Sequence, residues 1–219
     1  MTEDRAANAR REKEPVIREL VEKAGLTYPV PRIYIRAFKH ERLLSIWGTT
    51  KSGTVYKHIQ SYKVEGASGT YGPKLIEGDK QVPEGFYHID RFNPFSRFLL
   101  SLGLNYPNPR DRFRSDKSRP GGDIFIHGSN LSIGCLAMTD DKIKEIYTLA
   151  MDAKNAGQTR IPVHIFPATA KNWDTVRSGL SPAYQAYMDE LKPMLTTFDA
   201  KKKLMKVSVD PKTGRYKLS

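Results

Sequence analysis

The chain has 219 residues, enough to bury a single enlarged core, and 39% of them are hydrophobic, an ordinary fraction for a globular protein. Its formal charge of +12 at pH 7 predicts attraction to a polyanion, which could be a nucleic acid, an anionic membrane surface or an acidic cell-wall polymer. One cysteine excludes an intrachain disulfide and a multi-cysteine metal site, and no stretch approaches the roughly 18 apolar residues that a membrane span needs.

Residues 1–30 predict a helical N-terminal extension. The first fifteen contain neither the apolar run nor the small-residue cleavage site of a secretory signal, so they carry no direct sign of localisation. Residues 14–25 predict a short helix, with Pro15 in its first turn and Gly25 at its end. We expect this helix to pack on the outside of the domain.

From Arg32 onward the apolar pattern changes to a period of two, the repeat of a strand with one buried face. Residues 32–38, 42–48 and 54–66 therefore predict consecutive antiparallel strands. The glycine-rich residues 66–85, punctuated by two prolines, predict a long connection of the kind that often carries function.

Strands and irregular chain alternate in the next segment. Residues 86–92 predict a strand, residues 105–122 an irregular basic loop, and residues 124–128 a buried strand. The basic side chains of the loop, which are interleaved with Phe113, are Arg110, Arg112, Arg114, Lys117 and Arg119.

A helix is predicted from residue 140, with Thr139 as its N-cap, because apolar residues recur at helical spacing until Gly157. Residues 162–167 predict one more strand. We expect His164, inside that strand, to be a core histidine whose hydrogen bonds are satisfied.

The C-terminal residues 168–219 predict a helix and a hairpin packed on the preceding domain. Ser181 and Pro182 suit the cap and first position of a helix over residues 181–191, and residues 206–218 predict a hairpin. Residues 31–167 would then form the main domain. The sum is a mainly β fold of the α+β class with flanking helices.

The residues with the clearest chemical potential are His127 and Cys135, which one strand, loop and helix bring close together. A cysteine is a nucleophile as its thiolate, and a neighbouring imidazole can take its proton and lower its pKa. Gly134 permits a sharp bend before Cys135, so the backbone N–H groups of both could converge on an oxyanion. From the residues alone, Cys135 is either such a nucleophile or a small apolar group buried in a turn.

This segment resembles the active-site motif of the L,D-transpeptidase catalytic domain family, the YkuD type, in which His-Gly on a strand precedes Ser-x-Gly-Cys on a loop. The matching residues are His127, Gly128, Ser132, Ile133, Gly134 and Cys135. An upstream block resembles the family's Gly-Asp and Pro-x-Gly-x-Tyr elements. Its matching residues are Gly78, Asp79, Pro83, Glu84, Gly85 and Tyr87. The two blocks stand in the family's order and cover roughly residues 31–167.

The resemblance implies a sandwich- or barrel-like β core and a thioester mechanism on peptidoglycan stem peptides. Cys135 would attack an amide carbonyl beside a diaminopimelate residue, His127 would carry the proton, and the backbone carbonyl of Gly128 would orient the imidazole. A second acceptor would then resolve the acyl-enzyme. None of the other histidines stands at a metal-ligand spacing from Cys135 and a carboxylate cluster, so no metal is expected, and no cofactor is expected either. The family implies the bacterial cell envelope, in the periplasm.

Two positions depart from the usual pattern, because Ile133 stands where the family has a His and Ala137 where it has an Arg or Asn. The compact sequence HGSNLSIGCLAM is similar to the YafK-type murein branch, some of whose members are hydrolases that release proteins attached to diaminopimelate. We therefore favour water as the acceptor. The alternative is a true transpeptidase that cross-links two diaminopimelate residues or attaches a protein to murein.

Six residues are predicted to bind the substrate. They are Ser129, Ser132, Tyr71, Lys74, Tyr87 and Arg112. Arginines of the basic loop could clamp the free carboxylates of stem peptides, although the loop could equally be a solvated surface, and the tyrosines and Lys74 could be packing groups.

The expected partners are peptidoglycan stem peptides, with a murein-attached lipoprotein or another protein as a further candidate. No nucleic-acid partner is expected, because no nucleic-acid-binding motif accompanies the charge. The alternative from another class is a non-catalytic module that binds the cell wall or another polyanion.

Overall fold

The computed structural model describes residues 4–219, which form ten β-strands and five α-helices. The strands are β1 (Arg32–Phe38), β2 (Leu43–Thr49), β3 (Lys57–Lys63), β4 (Gly85–Asn93), β5 (Ser101–Leu104), β6 (Phe125–His127), β7 (Leu136–Ala137), β8 (Pro162–Phe166), β9 (Val207–Val209) and β10 (Tyr216–Leu218). The helices are α1 (Arg5–Lys23), α2 (Pro109–Arg114), α3 (Asp140–Asn155), α4 (Trp173–Ser178) and α5 (Pro182–Lys201).

Eight strands form one mixed sheet in the order β3-β2-β1-β8-β4-β5-β6-β7, while β9 and β10 form a separate hairpin. β1 pairs with β8, and β6 with β7, in parallel; the other neighbours are antiparallel. A bridge between Gly66, just after β3, and Ala137 of β7 joins the two edges, so the sheet curls onto itself. This confirms the predicted fold, a barrel-like β core with flanking helices.

The two faces of the sheet are covered by different helices. Alternate residues of β1, such as Ile33 and Ile35, join a core that includes Ile17 of α1 and Ile146 of α3. On the opposite face the aromatic rings of β1, β4 and β8 pack against α4 and α5. His127 and Cys135 lie at the β6–β7 edge of this layered structure.

The N-terminal helix is longer than the sequence predicted. It begins at Arg5, where the Asp4 carboxylate accepts hydrogen bonds from the first turn, and Pro15 lies inside it rather than at its start. Pro15 removes one backbone hydrogen bond, but a buried stripe with a spacing of four residues continues through that point. The stripe consists of Ala9, Lys13, Ile17 and Val21. Burial against α3 therefore outweighs the local cost of the proline.

The predicted basic loop contains a helix that the sequence analysis missed. In α2, Asn108 and Asp111 form a reciprocal capping box, and Pro109 occupies the first turn. β5 and α4 were also not predicted, and α5 runs on to Lys201 past the predicted end at residue 191. These elements are short or lack a strong apolar period, so tertiary packing rather than local pattern defines them.

Thr139 and Ser181 occupy the predicted cap positions, but neither side chain makes a capping hydrogen bond within residues 4–219.

His164 is a core histidine with a hydrogen-bonding partner, as predicted, because it is buried and its Nδ1 lies 3.1 Å from the Tyr34 hydroxyl. Across the same described residues, no helix combines the length and the apolar character needed to cross a lipid bilayer.

The long connection between β3 and β4 is irregular, as predicted, and two ion pairs hold it in place. Lys39, in the turn after β1, pairs with Glu84 at 3.1 Å, and both side chains are buried. Lys74 pairs with Asp79 at 2.5 Å, while Asp79 also accepts backbone N–H groups of the connection. The connection is thereby fixed beside the loop that carries Cys135.

Candidate active site

Strand register places Cys135 and His127 on one face of the sheet. Ile126 of β6 pairs with Leu136 of β7, and His127 pairs with Ala137, so Cys135 comes directly opposite Phe125. Because side chains alternate between faces, Cys135 and His127 both project away from the core that receives Ile126 and Leu136. A cavity of about 260 Å³ is lined by both catalytic candidates.

The turn after His127 is built around Gly128. A Cβ atom at this position would lie 2.5 Å from the Phe98 carbonyl oxygen and 2.6 Å from a carboxylate oxygen of Asp140, so only glycine fits. The same Asp140 oxygen accepts the Ser129 N–H at 2.8 Å. The first residue of α3 therefore fixes the backbone that follows the histidine.

The hydrogen bonding of His127 defines its tautomer. Its Nδ1 lies 2.5 Å from the Gly128 carbonyl oxygen, which can only accept, so Nδ1 carries the proton. In the neutral imidazole this leaves Nε2 with a free lone pair. The ring is also stacked on Phe98, with centroids 4.4 Å apart. Orientation and tautomer together suit Nε2 to act as a base.

The Cys135 thiol is partly exposed in the shared cavity. Its Sγ donates to the Asp123 carbonyl oxygen at 3.6 Å. Burial raises the pKa of the Cys135 thiol, and the Asp123 carboxylate adds to the rise, while a backbone hydrogen bond from Phe125 and the charge of Lys74 oppose it. Burial lowers the pKa of His127, against the opposing effect of its bond to Gly128.

These directions differ from the lowered thiol pKa that the sequence suggested, because desolvation disfavours both charged forms. A raised thiol pKa and a lowered imidazole pKa both favour the neutral form of each group.

The neutral pair predicts the pH dependence of Cys135 alkylation. Since the thiol pKa is raised, the thiolate fraction at any pH lies below that of free cysteine, and the iodoacetamide rate should rise only at higher pH. The rate should be followed between about pH 6 and 10. His127→Gln is the matched control and should leave the inflection nearly unchanged. An inflection far below that of free cysteine, which the His127→Gln change moves upward, would instead indicate a resting ion pair.

The two backbone donors predicted for the oxyanion are already engaged. The Cys135 N–H donates to the Ser132 hydroxyl at 2.8 Å, and the Gly134 N–H donates to the Ser68 hydroxyl at 2.7 Å. The Ser132 hydroxyl in turn donates to the Cys135 carbonyl, and the Ser68 hydroxyl donates to the Lys80 carbonyl. Both predicted donors are therefore occupied in this conformation, and an incoming oxygen would have to displace the two hydroxyls or share their hydrogen bonds.

The predicted substrate-binding residues differ in their access to the cavity. Tyr87 is buried, and its hydroxyl bonds the Glu84 carbonyl and the Asp111 carboxylate, so it supports the interior instead of facing a substrate. Tyr71 bonds His40 at 2.6 Å, on the connection after β3. The Ser132 hydroxyl is occupied by Cys135, as described above.

The charge of Lys74 acts on the Cys135 thiol. Lys74 lines a second cavity, of about 340 Å³, together with Gly122, Asp123 and Ile133. Asp123 lines both cavities, whereas Cys135 lines only the smaller one. The Lys74 side chain is mostly buried, and its Nζ donates to the Ile76 carbonyl and to Asp79.

The basic loop divides into internal and external arginines. Arg110 is buried and makes two hydrogen bonds to the Glu190 carboxylate, at 3.1 and 2.9 Å, so it joins α2 to α5 and is not free to clamp a substrate. Arg114 packs 4.2 Å over the ring of Tyr187. Arg112 is exposed, as a clamp would require.

Three residues that matter for the site were missed by the sequence analysis. They are Phe98 on the imidazole, Ser68 on the Gly134 amide and Asp140 on the Ser129 amide. Phe98 and Ser68 lie far from the motif in sequence and carry no local signal. Asp140 begins the predicted helix, where the local pattern carries no sign of its contact with the Ser129 N–H.

Comparison with known proteins gives consistent matches. A model of the YkuD family, the L,D-transpeptidase catalytic domain, matches residues 34–165. The Escherichia coli K12 protein named "Putative L,D-transpeptidase YafK" is 35% identical over 189 residues, covering 85% of this chain and 74% of that protein.

Two solved structures also align with the chain. The helical cell shape determining protein Pgp2 from Campylobacter jejuni aligns with a TM-score of 0.49 at 19% identity, covering 81% of this chain and 73% of that one. L,D-transpeptidase 1 of Mycobacterium tuberculosis aligns with a TM-score of 0.32 at 10% identity, covering 61% of each chain.

Proposed function

The chain belongs to the YkuD family of L,D-transpeptidase catalytic domains, and we propose that it cleaves a diaminopimelate-linked amide of peptidoglycan through a thioester on Cys135. The observation that carries the proposal is the protonated Nδ1 of His127 on the Gly128 carbonyl, beside a cavity that the thiol also lines. That arrangement supplies a nucleophile together with an oriented base. Family membership supports peptidoglycan as the polymer.

In the acylation step Cys135 Sγ attacks the amide carbonyl carbon while His127 Nε2 takes the thiol proton. The C–N bond then breaks, and the amine leaves with the proton from Nε2. The Gly134 and Cys135 N–H groups become available to the oxyanion when the Ser68 and Ser132 hydroxyls give way. In deacylation a water gives its proton to Nε2 as it attacks the thioester, and that proton returns to sulfur as the C–S bond breaks.

We favour water over an amine as the acceptor. Ile133 and Ala137 replace the polar residues that the usual family pattern has near the thiol. Ile133 is 75% exposed on the catalytic loop and Leu131 is 73% exposed, so the loop presents apolar side chains to the approach of a second stem. An apolar surface offers an incoming amine no hydrogen-bonding partner, whereas water needs no such recognition.

Lys74 and Arg112 are the cations that we assign to substrate carboxylates, with Ser129 and Tyr71 as further contacts. Lys74 has two described acceptors at its ammonium, which has three donors, and it lines a cavity together with Asp123, whose carbonyl accepts from the Cys135 thiol. A diaminopimelate carboxylate in that cavity would place its residue next to the thiol. The exposed Arg112 would serve the outer part of the stem peptide. In this reaction a murein-attached protein would be the leaving group. The reaction would take place in the periplasm.

Mass spectrometry of the products tests the acceptor. Sacculi bearing a lysine-linked peptide on diaminopimelate should be incubated with the protein in oxygen-18 water, with Cys135→Ala as the matched control. Hydrolysis should release the peptide and leave one heavy oxygen in the diaminopimelate carboxylate. New diaminopimelate–diaminopimelate bonds without the isotope would establish transpeptidation instead. If neither product forms and the protein only binds sacculi in a salt-sensitive manner, the non-catalytic module is the correct assignment.

A further inference from the structure

The first residue of α1 reaches the edge of the candidate active site. The Arg5 guanidinium donates from Nη1 to the carbonyl oxygens of Ser96, at 2.8 Å, and Leu99, at 3.3 Å. These carbonyls lie on either side of Phe98, whose ring stacks on His127. An N-terminal residue is thus connected to the imidazole through one loop.

That loop, residues 94–100 between β4 and β5, depends on contacts from outside itself. Leu99 has φ of +66°, a left-handed conformation that residues other than glycine rarely adopt unless their surroundings hold them there. The Phe98 side chain covers His127 with one face but remains 42% exposed overall. Arg5 supplies such contacts, because it donates hydrogen bonds to backbone carbonyls before and after Phe98 in the chain.

The helix that carries Arg5 is itself firmly placed. Ile17 and Val21 of α1 are fully buried, and Lys13 pairs with Asp141 and Glu145 of α3. The Lys144 ammonium of α3 also lies 2.5 Å from the Glu12 carboxylate.

α1 and α3 therefore act on the site from two sides. α3 begins at Asp140, which holds the Ser129 N–H, and α1 holds the Phe98 loop through Arg5. Gly128 lies between these two supports, because its missing Cβ would meet both the Phe98 carbonyl and the Asp140 carboxylate.

We propose that Arg5 is a positioning residue for His127, which holds Phe98 against the imidazole and so keeps one face of the base out of water. The inference rests on the proposed role of His127 as the base. Without Arg5 the loop can open, and water can then reach the ring. Since better solvation favours the charged imidazolium, the His127 pKa should rise.

Other charges around His127 have to be separated from this effect. The titratable and charged groups that line its cavity or its turn are Cys135, Asp123, Arg97 and Asp140. Replacing Arg5 leaves all four in the chain. Arg97 shares the Phe98 loop, so an Arg97→Met variant measures the contribution of its charge.

The test is an NMR titration of the His127 imidazole in the full chain, in a Cys135→Ala background and with the signal assigned by His127→Gln. Arg5→Ala should raise the His127 pKa toward its ordinary value. Phe98→Ala should give the same shift, and the double variant should add little to either one. In the active protein, Arg5→Ala should lower kcat by about tenfold and move the acid limb of the pH profile upward, because the base has to be neutral to act.

Two variants control the comparison. Arg11→Ala removes an exposed arginine of the same helix that bonds Asn8, and it should change neither the titration nor kcat. Arg5→Lys keeps a charged donor, so its His127 pKa and its kcat should lie between those of the wild type and of Arg5→Ala. If Arg5→Ala does not fold, Arg5→Lys and Phe98→Ala carry the test.

An unchanged His127 titration in folded Arg5→Ala, or in Phe98→Ala, would overturn the inference. So would an Arg97→Met shift as large as that of Arg5→Ala, because it would assign the effect to charge. The titration requires no turnover. Failure of the proposed reaction in the wild-type protein is therefore distinguishable from failure of this inference.

Discussion

Cys135→Ala is expected to lower kcat/KM for the murein amide by about 10⁴-fold or more, because removal of a nucleophile abolishes the covalent pathway and leaves only binding and polarisation. The fold should remain intact, since the side chain is small and lies at a cavity wall rather than in the core. Release of peptide from sacculi, quantified by chromatography, measures the loss. Circular dichroism and the melting temperature report the fold.

Cys135→Ser provides the matched variant for this result. It retains a hydroxyl in place of the thiol and should also be nearly inactive, since a neutral serine is a poorer nucleophile beside the same base. Peptide release by Cys135→Ala at a rate close to that of the wild type would remove Cys135 from the mechanism.

His127→Gln should lower kcat by about 10²- to 10⁴-fold with a smaller change in KM, because general-base catalysis typically contributes that much. The thiol pKa is raised, so the nucleophile depends on a base to remove its proton during attack. Kinetics with the same lysine-linked substrate, measured from neutral to alkaline pH, would record the effect. Part of the lost rate should return as rising pH forms the thiolate directly.

His58→Gln is the appropriate control for the histidine change. His58 lies on β3, and its Nε2 is 2.8 Å from the Ser61 hydroxyl. The change should leave kcat within about twofold of wild type, as expected of a surface substitution away from the site. Loss of activity in His58→Gln equal to that in His127→Gln would indicate a general effect on the protein rather than the loss of a base.

Much of the fold could be predicted because its strands carry a period-two pattern. β1, β2 and β3 bury alternate residues beneath α1 and α3, and the pattern identified all three in their order. The motif residues were predictable for a similar reason. His127 ends β6 and Cys135 directly precedes β7, and one short loop joins these paired strands, so their proximity follows from their small separation along the chain.

Long-range contacts account for what the sequence did not predict. Pro15 suggested a helix start, yet the buried stripe continues before it through Ala9 and Lys13, and α1 extends back to Arg5. Phe98 reaches His127 from another loop of the sheet, and Ser68 reaches Gly134 from the opposite edge. No periodic pattern encodes such contacts.

Protonation states likewise follow from burial that only the folded chain defines. The sequence placed an imidazole near a thiol and so suggested an ion pair. In the structure, desolvation shifts the pKa of Cys135 upward and that of His127 downward, which favours a neutral pair. The folded chain also brings the Ser68 and Ser132 hydroxyls to the Gly134 and Cys135 N–H groups, which are the proposed oxyanion donors.

The most direct test of the central claim is the intact mass of the protein after rapid acid quenching during turnover of a diaminopimelate-linked stem peptide. Wild-type protein should gain the mass of the acyl fragment, peptide mapping should place the adduct on Cys135, and hydroxylamine should remove it as expected of a thioester. Cys135→Ala should gain no such mass. An acyl adduct on a residue other than Cys135, or a persistent adduct in Cys135→Ala, would contradict the account.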